Sequence, residues 1–286
     1  MDMQPQPALS NCPPIRLPDM QPLSDWPLYA RRGLVGVFTD IDDTLTTHGS
    51  ITPDALQALA DLRTSGLQVI PVTGRHVGWC LPFLDGSGTR WPVHAMVAEN
   101  GAVAWVPEGD GFTKRHQQDA DTRRLNGERM QAVALDVMAA VPGLLRSADT
   151  GGRDTDVSFD YNEFVHLTPE AVAQAVALLE RAGMHTSVSS IHIHGCFGDF
   201  NKWNGACWIV KELLGRDLAL ERERWVFVGD SGNDQAMFAQ LPHSVGVANI
   251  RKVADTLTHR PRYVTQGERG AGFAEVAAAI LAARQP

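Results

Sequence analysis

One stretch limits the fold of this 286-residue chain more than any other, the segment from Val35 to Thr47. Val35, Val37 and Phe38 are β-branched or aromatic and form an apolar run, the pattern of a strand buried in a parallel sheet. Asp40, Asp42 and Asp43 follow just past its carboxyl end, the edge at which open α/β sheets bind ligands. Asp40 and Asp42 are two residues apart, so an extended backbone turns both carboxylates to one side, where their repulsion calls for a cation. A hard divalent ion such as Mg²⁺ answers that need. Alone, the same acids would read as helix-capping or solvated groups; three later stretches decide against that.

A chain of 286 residues with 44 % hydrophobic content is long for one core, and predicts a large domain plus a smaller inserted one. Its formal charge of −8, with no cluster of Lys and Arg, argues against nucleic acid as a partner. Cys12, Cys80, Cys196 and Cys207 are scattered without a C-x-x-C spacing, so they read as packing residues in a reducing compartment and carry no zinc signature. Neither a basic-then-apolar leader nor an apolar run of about eighteen residues occurs, so the expectation is a soluble cytoplasmic protein with no membrane partner.

Residues 1–32 hold seven of the 17 prolines and predict an extended arm of unreadable function. Thr52 suits a helix N-cap with Pro53 at the first helical position, and Leu56, Leu59 and Leu62 form the apolar stripe. Leu67 to Val72 is a second strand that runs directly into Thr73-Gly74-Arg75. A β-α-β order forces a parallel crossover, which brings Thr73 to the same sheet edge as Asp40. A hydroxyl and a backbone amide there suit a phosphate oxygen. Val93 to Ala98 reads as a third strand, and Asn100 after it reads equally as a turn former and as a site residue.

Between residues 108 and 196 the pattern changes to helices alternating with hairpin-like strands, which predicts an α+β cap inserted between core segments 33–107 and 197–286. Its elements are a helix over 118–141, a strand over 156–165, a helix opened by Thr168-Pro169, and strands over 184–189 and 191–195. His192 and His194 alternate along the last of these and share a face. No third ligand lies near them in sequence, so substrate contact is the better reading than metal. Arg153, Asp154 and Asp156 are polar loop residues with a weaker claim on a ligand.

Asn201-Lys202 opens an amphipathic helix that ends at Gly215. A lysine in the first turn opposes the helix dipole unless it neutralises an anion. Trp225 to Val228 is a further buried strand, and it discharges into Gly229-Asp230-Ser231-Gly232-Asn233-Asp234, bringing two more acids to a strand's carboxyl end. Strands near 245–248 and 263–264 and a helix over 271–284 complete a doubly wound α/β sheet.

These four stretches, Asp40-Ile-Asp42-Asp43-Thr44-Leu45, Thr73-Gly74-Arg75, Lys202 and Gly229 to Asp234, resemble in order and spacing the haloacid dehalogenase superfamily of phosphohydrolases. The similarity covers residues 33–284 and is to the Cof-like group (subfamily IIB), whose α/β cap lies between the second and third motifs. It implies a Rossmann-like core and a phosphatase acting on small phosphate esters. In that reading Asp40 is the nucleophile that becomes an aspartyl-phosphate, and Asp42 is the general acid and base, with a raised effective pKa. Mg²⁺ ligation falls to Asp40, the Asp42 carbonyl and Asp230, with Asp234 and Asn233 around the ion. Thr73 and Lys202 would bind the phosphate. Thr44, Gly74, Arg75, Asn100, His192 and His194 are the candidate substrate contacts.

Asp43 departs from the commonest form of the first motif, which has glycine there. Analogy within the cap group points to a phosphorylated sugar as substrate. A phosphomutase of the same superfamily, or a catalytically silent metal or sugar-phosphate binding protein, are the alternatives.

Overall fold

The computed structural model of the protein describes residues 19–148 and 150–284. Among them, six strands form the central sheet: β1 (Gln21–Pro22), β2 (Gly36–Thr39), β3 (Gln68–Pro71), β4 (Trp225–Gly229), β5 (His243–Gly246) and β6 (Tyr263–Val264). Their order is β1-β6-β5-β4-β2-β3, and every neighbouring pair is parallel. Alternation along each strand sends side chains to two cores. Val37, Val69 and Val228 pack with the helices Pro53–Thr64 and Arg269–Arg284, while Phe38, Ile70 and Phe227 pack with Lys202–Leu214 and Gln235–Gln240. The doubly wound parallel sheet is therefore as expected, with β2 lying between β4 and β3.

A parallel bridge between Val72 and Val97 continues β3 into a three-stranded antiparallel sheet of Met96–Ala98, Val103–Glu108 and Gly111–His116. Pairing thus runs on to His116, past residue 107, through a tight turn at Gly109 (φ +57°). Beyond it stands a four-stranded antiparallel sheet, in the order His185–Val188, His192–Cys196, Val157–Asp160, Leu145–Arg146. Two helices, Ala120–Ala140 and Pro169–Arg181, cover the face that carries Val157, Phe159 and Ile193. Alternation puts Asp156, Ser158, Asp160, His192 and His194 on the opposite face, all buried.

Three local expectations change. The stretch read as an extended arm carries β1 and a short helix, Leu28–Arg32, with Trp26 buried and stacked on Tyr263 at 5.8 Å. Elements this short show no periodicity in sequence; residues 1–18, with Cys12, lie outside the described residues. Thr52 does stand at the N-cap before Pro53, but its hydroxyl is buried and caps nothing. The strand expected over 156–165 ends at Asp160, whose carboxylate accepts from the amides of Glu163 (2.8 Å) and Phe164 (2.9 Å) and so turns the chain. No helix among the described residues is long and apolar enough to cross a membrane.

Candidate active site

Because β2 and β4 are parallel neighbours with Thr39 opposite Val228, the acids that follow each strand emerge at one edge. Asp40, Asp230 and Asp234 are buried, and each offers an oxygen within 4.8 Å of the others. The fully buried Lys202 places Nζ 2.7 Å from an Asp40 oxygen and 2.7 Å from an Asp234 oxygen. Asp234 is held at its other oxygen by the amides of Asp230 (2.8 Å) and Ser231 (3.0 Å). Asp230 accepts from the Thr44 hydroxyl at 3.3 Å and from the Asn249 carboxamide at 3.1 Å.

Three buried carboxylates thus face one cation. Burial, with Asp234 and Asp42 adding repulsion that Lys202 only partly offsets, pushes the Asp40 carboxyl up to about 7. Burial and then repulsion from Asp40 and Asp234 drive Asp230 well above the usual carboxylate range. Desolvation works against the Lys202 charge, but Asp234 and Asp40 together raise its pKa above the ordinary lysine value. An oxygen-lined cluster with this excess of negative charge fits a hard divalent cation, which would relieve the repulsion.

Lys202 owes its place to backbone contact. Its helix is N-capped by Asn201, whose side chain accepts from the Asn204 amide at 2.9 Å. One turn on, Gly205 presses against Gly101, so closely that a Cβ on Gly205 would lie 2.4 Å from the Gly101 Cα. Gly205→Ala should therefore push the helix off the Glu99–Gly101 turn, destabilising the fold by about 1–3 kcal/mol and displacing the lysine. Thermal melts and a metal-supported activity assay on the variant check both effects.

The end of β3 holds Thr73, Gly74 and Arg75. The Thr73 amide is bonded to Val97 O at 2.9 Å, which leaves its buried hydroxyl, an acceptor from the Arg75 amide at 3.0 Å, as the group to offer a phosphate. Asn100 is both a left-handed turn residue (φ +51°) and a link, since its side-chain oxygen accepts from Asn233 at 3.0 Å. Gly74 lies under the antiparallel sheet, where a Cβ would be 3.0 Å from His194 Nε2 and 3.2 Å from Asn100 Nδ2.

Asp42, the residue read as general acid and base, is paired in this structure. Arg75 grips it in a fork, both bonds 2.9 Å, and the same guanidinium reaches Glu163 at 3.3 Å. Glu163 in turn binds His192 Nε2 at 2.8 Å, so Arg75 and His192, expected as substrate contacts, are joined through it. His194 is held separately, with Nδ1 3.0 Å from Asp156, which also pairs with Arg153 at 2.9 Å. Burial pushes His194 down to about 4, against the pull of Asp156, so the ring is neutral. The Nδ1 proton then faces Asp156 and Nε2 is an acceptor.

Several residues here escape sequence reasoning. Glu99, buried under the loop that leads into Val157–Asp160, accepts from the amides of Val77 (3.2 Å), Asp154 (3.0 Å) and Thr155 (2.7 Å). Burial and Asp156 nevertheless push it up to about 7. Before an Asn-Gly pair it reads only as a turn residue. Glu163, Asn249 and Arg269 give no local signal at all. Arg269 supplies the partner of the extra acid, binding Asp43 at 2.7 Å.

Residues 37–125 match the family described as haloacid dehalogenase-like hydrolase. A Saccharolobus solfataricus protein named phosphoglycolate phosphatase 1 is 23 % identical over 249 residues, covering 86 % of this chain and 95 % of its own. Among solved structures, the sucrose-phosphatase of Synechocystis sp. PCC6803, in complex with sucrose and phosphate, has a TM-score of 0.64 at 18 % identity, over 87 % of this chain and 98 % of that one. The C-terminal domain of C. albicans trehalose-6-phosphate phosphatase has a TM-score of 0.62 at 14 % identity, over 89 % and 95 %. At these identities the structural likeness is one of fold. Sequence match, sheet order and the acids at two adjacent strand ends agree: residues 37–125 are similar to the haloacid dehalogenase-like hydrolases, and the fold of the chain is that of the phosphatases above.

Proposed function

We propose that the protein is a Mg²⁺-dependent phosphatase that hydrolyses a small phosphorylated metabolite, a sugar phosphate first among them, through an aspartyl-phosphate on Asp40. The observation that carries this reading is the buried arrangement of Lys202 between Asp40 and Asp234, with Asp230 alongside. Asp40, Asp230 and the Asp42 carbonyl would hold the ion, with Asp234 and Asn233 around it. When bound, it screens the nucleophile's charge from that of the phosphate.

An Asp40 carboxylate oxygen attacks phosphorus, and the bond to the leaving oxygen breaks while Asp42 gives that oxygen a proton. Asp42 then takes a proton from water, whose oxygen attacks the aspartyl-phosphate, releasing inorganic phosphate and regenerating Asp40. Lys202 and the Thr73 hydroxyl face the charge that spreads over the equatorial oxygens. For this Asp42 must leave its fork with Arg75, and Glu163 is placed to take up the freed guanidinium.

Support for a sugar comes from two clefts that meet at Asp43, Asn162 and Arg269. One, of about 520 Å³, reaches Asp230 and is lined with neutral polar groups such as Ser190, Gln235 and Thr256 beside the apolar Val253 and Leu257. The other, of about 500 Å³, reaches Asp42 and Arg75. Such volumes accept a ring, and mixed polar and apolar walls suit its hydroxyls and its CH face. We place the enzyme in the cytoplasm, in keeping with the unpaired Cys80, Cys196 and Cys207.

With Mg²⁺, a panel of phosphorylated metabolites should give the highest kcat/KM for a hexose or disaccharide phosphate, and chelation should reduce phosphate release to background. A best substrate without a sugar, phosphoglycolate included, would overturn the sugar assignment. Absence of phosphate release from the whole panel would overturn the enzyme, and transfer to a second hydroxyl in place of release would make it a mutase.

A further inference from the structure

Asp230 is oriented from a segment that none of the four motifs contains. Asn249, buried in the turn after β5, uses every polar atom of its carboxamide. Nδ2 donates to Asp43 O at 3.0 Å and to Asp230 Oδ2 at 3.1 Å, while Oδ1 accepts from the Arg269 amide at 3.0 Å. Turning the amide over would set N–H against N–H and oxygen against two oxygens, so the geometry fixes its orientation. Arg269 closes the ring by binding the Asp43 side chain at 2.7 Å, and both residues adopt left-handed backbone, each at φ +54°.

Left-handed φ in non-glycine residues costs free energy and persists only where the surroundings hold it. Here the holding contacts are the ring itself, which joins the loop carrying the Asp42 carbonyl to the carboxylate of Asp230. The Asp43–Arg269 pair also cancels the charge that this chain adds where glycine is commoner. We propose that Asn249, held by Arg269, is a positioning residue that sets the Asp230 carboxylate and the 42–43 loop as one ligand unit, and thereby sets divalent-metal affinity. This rests on the Mg²⁺ reading above.

Titration calorimetry of Mg²⁺ into the chelator-stripped full-length chain tests it, beside the metal-free melting temperature and kcat at saturating Mg²⁺. Removing the support of a metal ligand commonly weakens binding about 10–100-fold, and Asn249→Ala should fall in that range. Its metal-free Tm should stay within about 3 °C of the wild type, the size of a roughly 1 kcal/mol change. Loss of kcat at saturating metal should be far smaller than loss of affinity. Arg269→Lys, which keeps the charge and the backbone amide, should bind better than Arg269→Ala, and this pair carries the comparison if Asn249→Ala does not fold.

Equal Mg²⁺ affinity in the folded variants and the wild type would overturn the positioning role and leave the phosphatase reading intact. A folded wild type that binds no Mg²⁺ would overturn both.

Discussion

Asp40→Asn should release no phosphate from any ester that the wild type hydrolyses, a fall of roughly 10⁶-fold, the size seen when a covalent nucleophile is removed. A carboxamide is a poor nucleophile and forms no acyl-phosphate, whereas the remaining groups still bind substrate. KM should therefore change little beside kcat. Residual activity above about 1 % would exclude Asp40 as the attacking group, since a loss that small amounts to under about 3 kcal/mol of barrier.

The same variant has a signature in the metal-free protein. With its carboxyl pushed up to about 7 from the model-compound value of 3.8, folded Asp40 keeps a proton that the unfolded chain has already lost. At this group the folded state then binds more protons than the unfolded one, so the stability that Asp40 contributes is fully present below about pH 4 and is lost as pH rises to about 7, while the lowered His194 acts the other way. Asp230 and Glu99 are raised too and act in the same direction as Asp40. Melting of the chelated protein at pH 5 and pH 7.5 should show the drop, and Asp40→Asn should shrink it without abolishing it, because Glu99 remains. An unchanged slope would mean that Asp40 is not held above its ordinary range.

Lys202→Met should produce the largest change in stability. The ammonium is fully buried with an oxygen of Asp40 and one of Asp234 each at 2.7 Å, so its loss leaves two buried carboxylates without their counter-charge. Breaking a buried pair in this way costs about 3–5 kcal/mol, which corresponds to roughly 10 °C in the metal-free Tm. The loss should be greater at pH 8 than at pH 5, where the buried Asp40 carboxyl, already raised to about 7, can take up a proton instead. Added Mg²⁺ should recover part of it, since a divalent ion supplies the missing positive charge at the same carboxylates. Phosphate release should fall as well. A metal-free Tm equal to that of the wild type at pH 8 would show that Lys202 is not the balancing charge.

How far such a site can be read from sequence depends on how each residue reaches it. Asp40, Thr73, Asp230 and Asp234 were legible because each follows an apolar strand, and strands in a β-α-β order deliver their ends to one edge. Lys202 was legible because a cation in a helix's first turn is misplaced unless an anion meets it. Asn249 meets Asp43 across 206 positions and Arg269 meets it across 226, through folds of the chain that no local pattern encodes. The fork of Arg75 on Asp42 is a third case: the Thr-Gly-Arg turn marks the edge, but not which carboxylate the guanidinium takes. Nor does the amino-terminal proline content foretell that Gln21–Pro22 complete the sheet.

That completion decides what the molecule's flank presents to its neighbours in solution. On β1, the Gln21 amide is spent on Arg262 O, and Pro22 has no N–H with which to recruit an incoming chain. At the opposite flank the bridge from Val72 to Val97 turns the ladder into a hairpin. Cutting away the first 26 residues would strip the guard from Tyr263–Val264 and bare the ring face that Trp26 covers, leaving a template for strand-to-strand polymerisation.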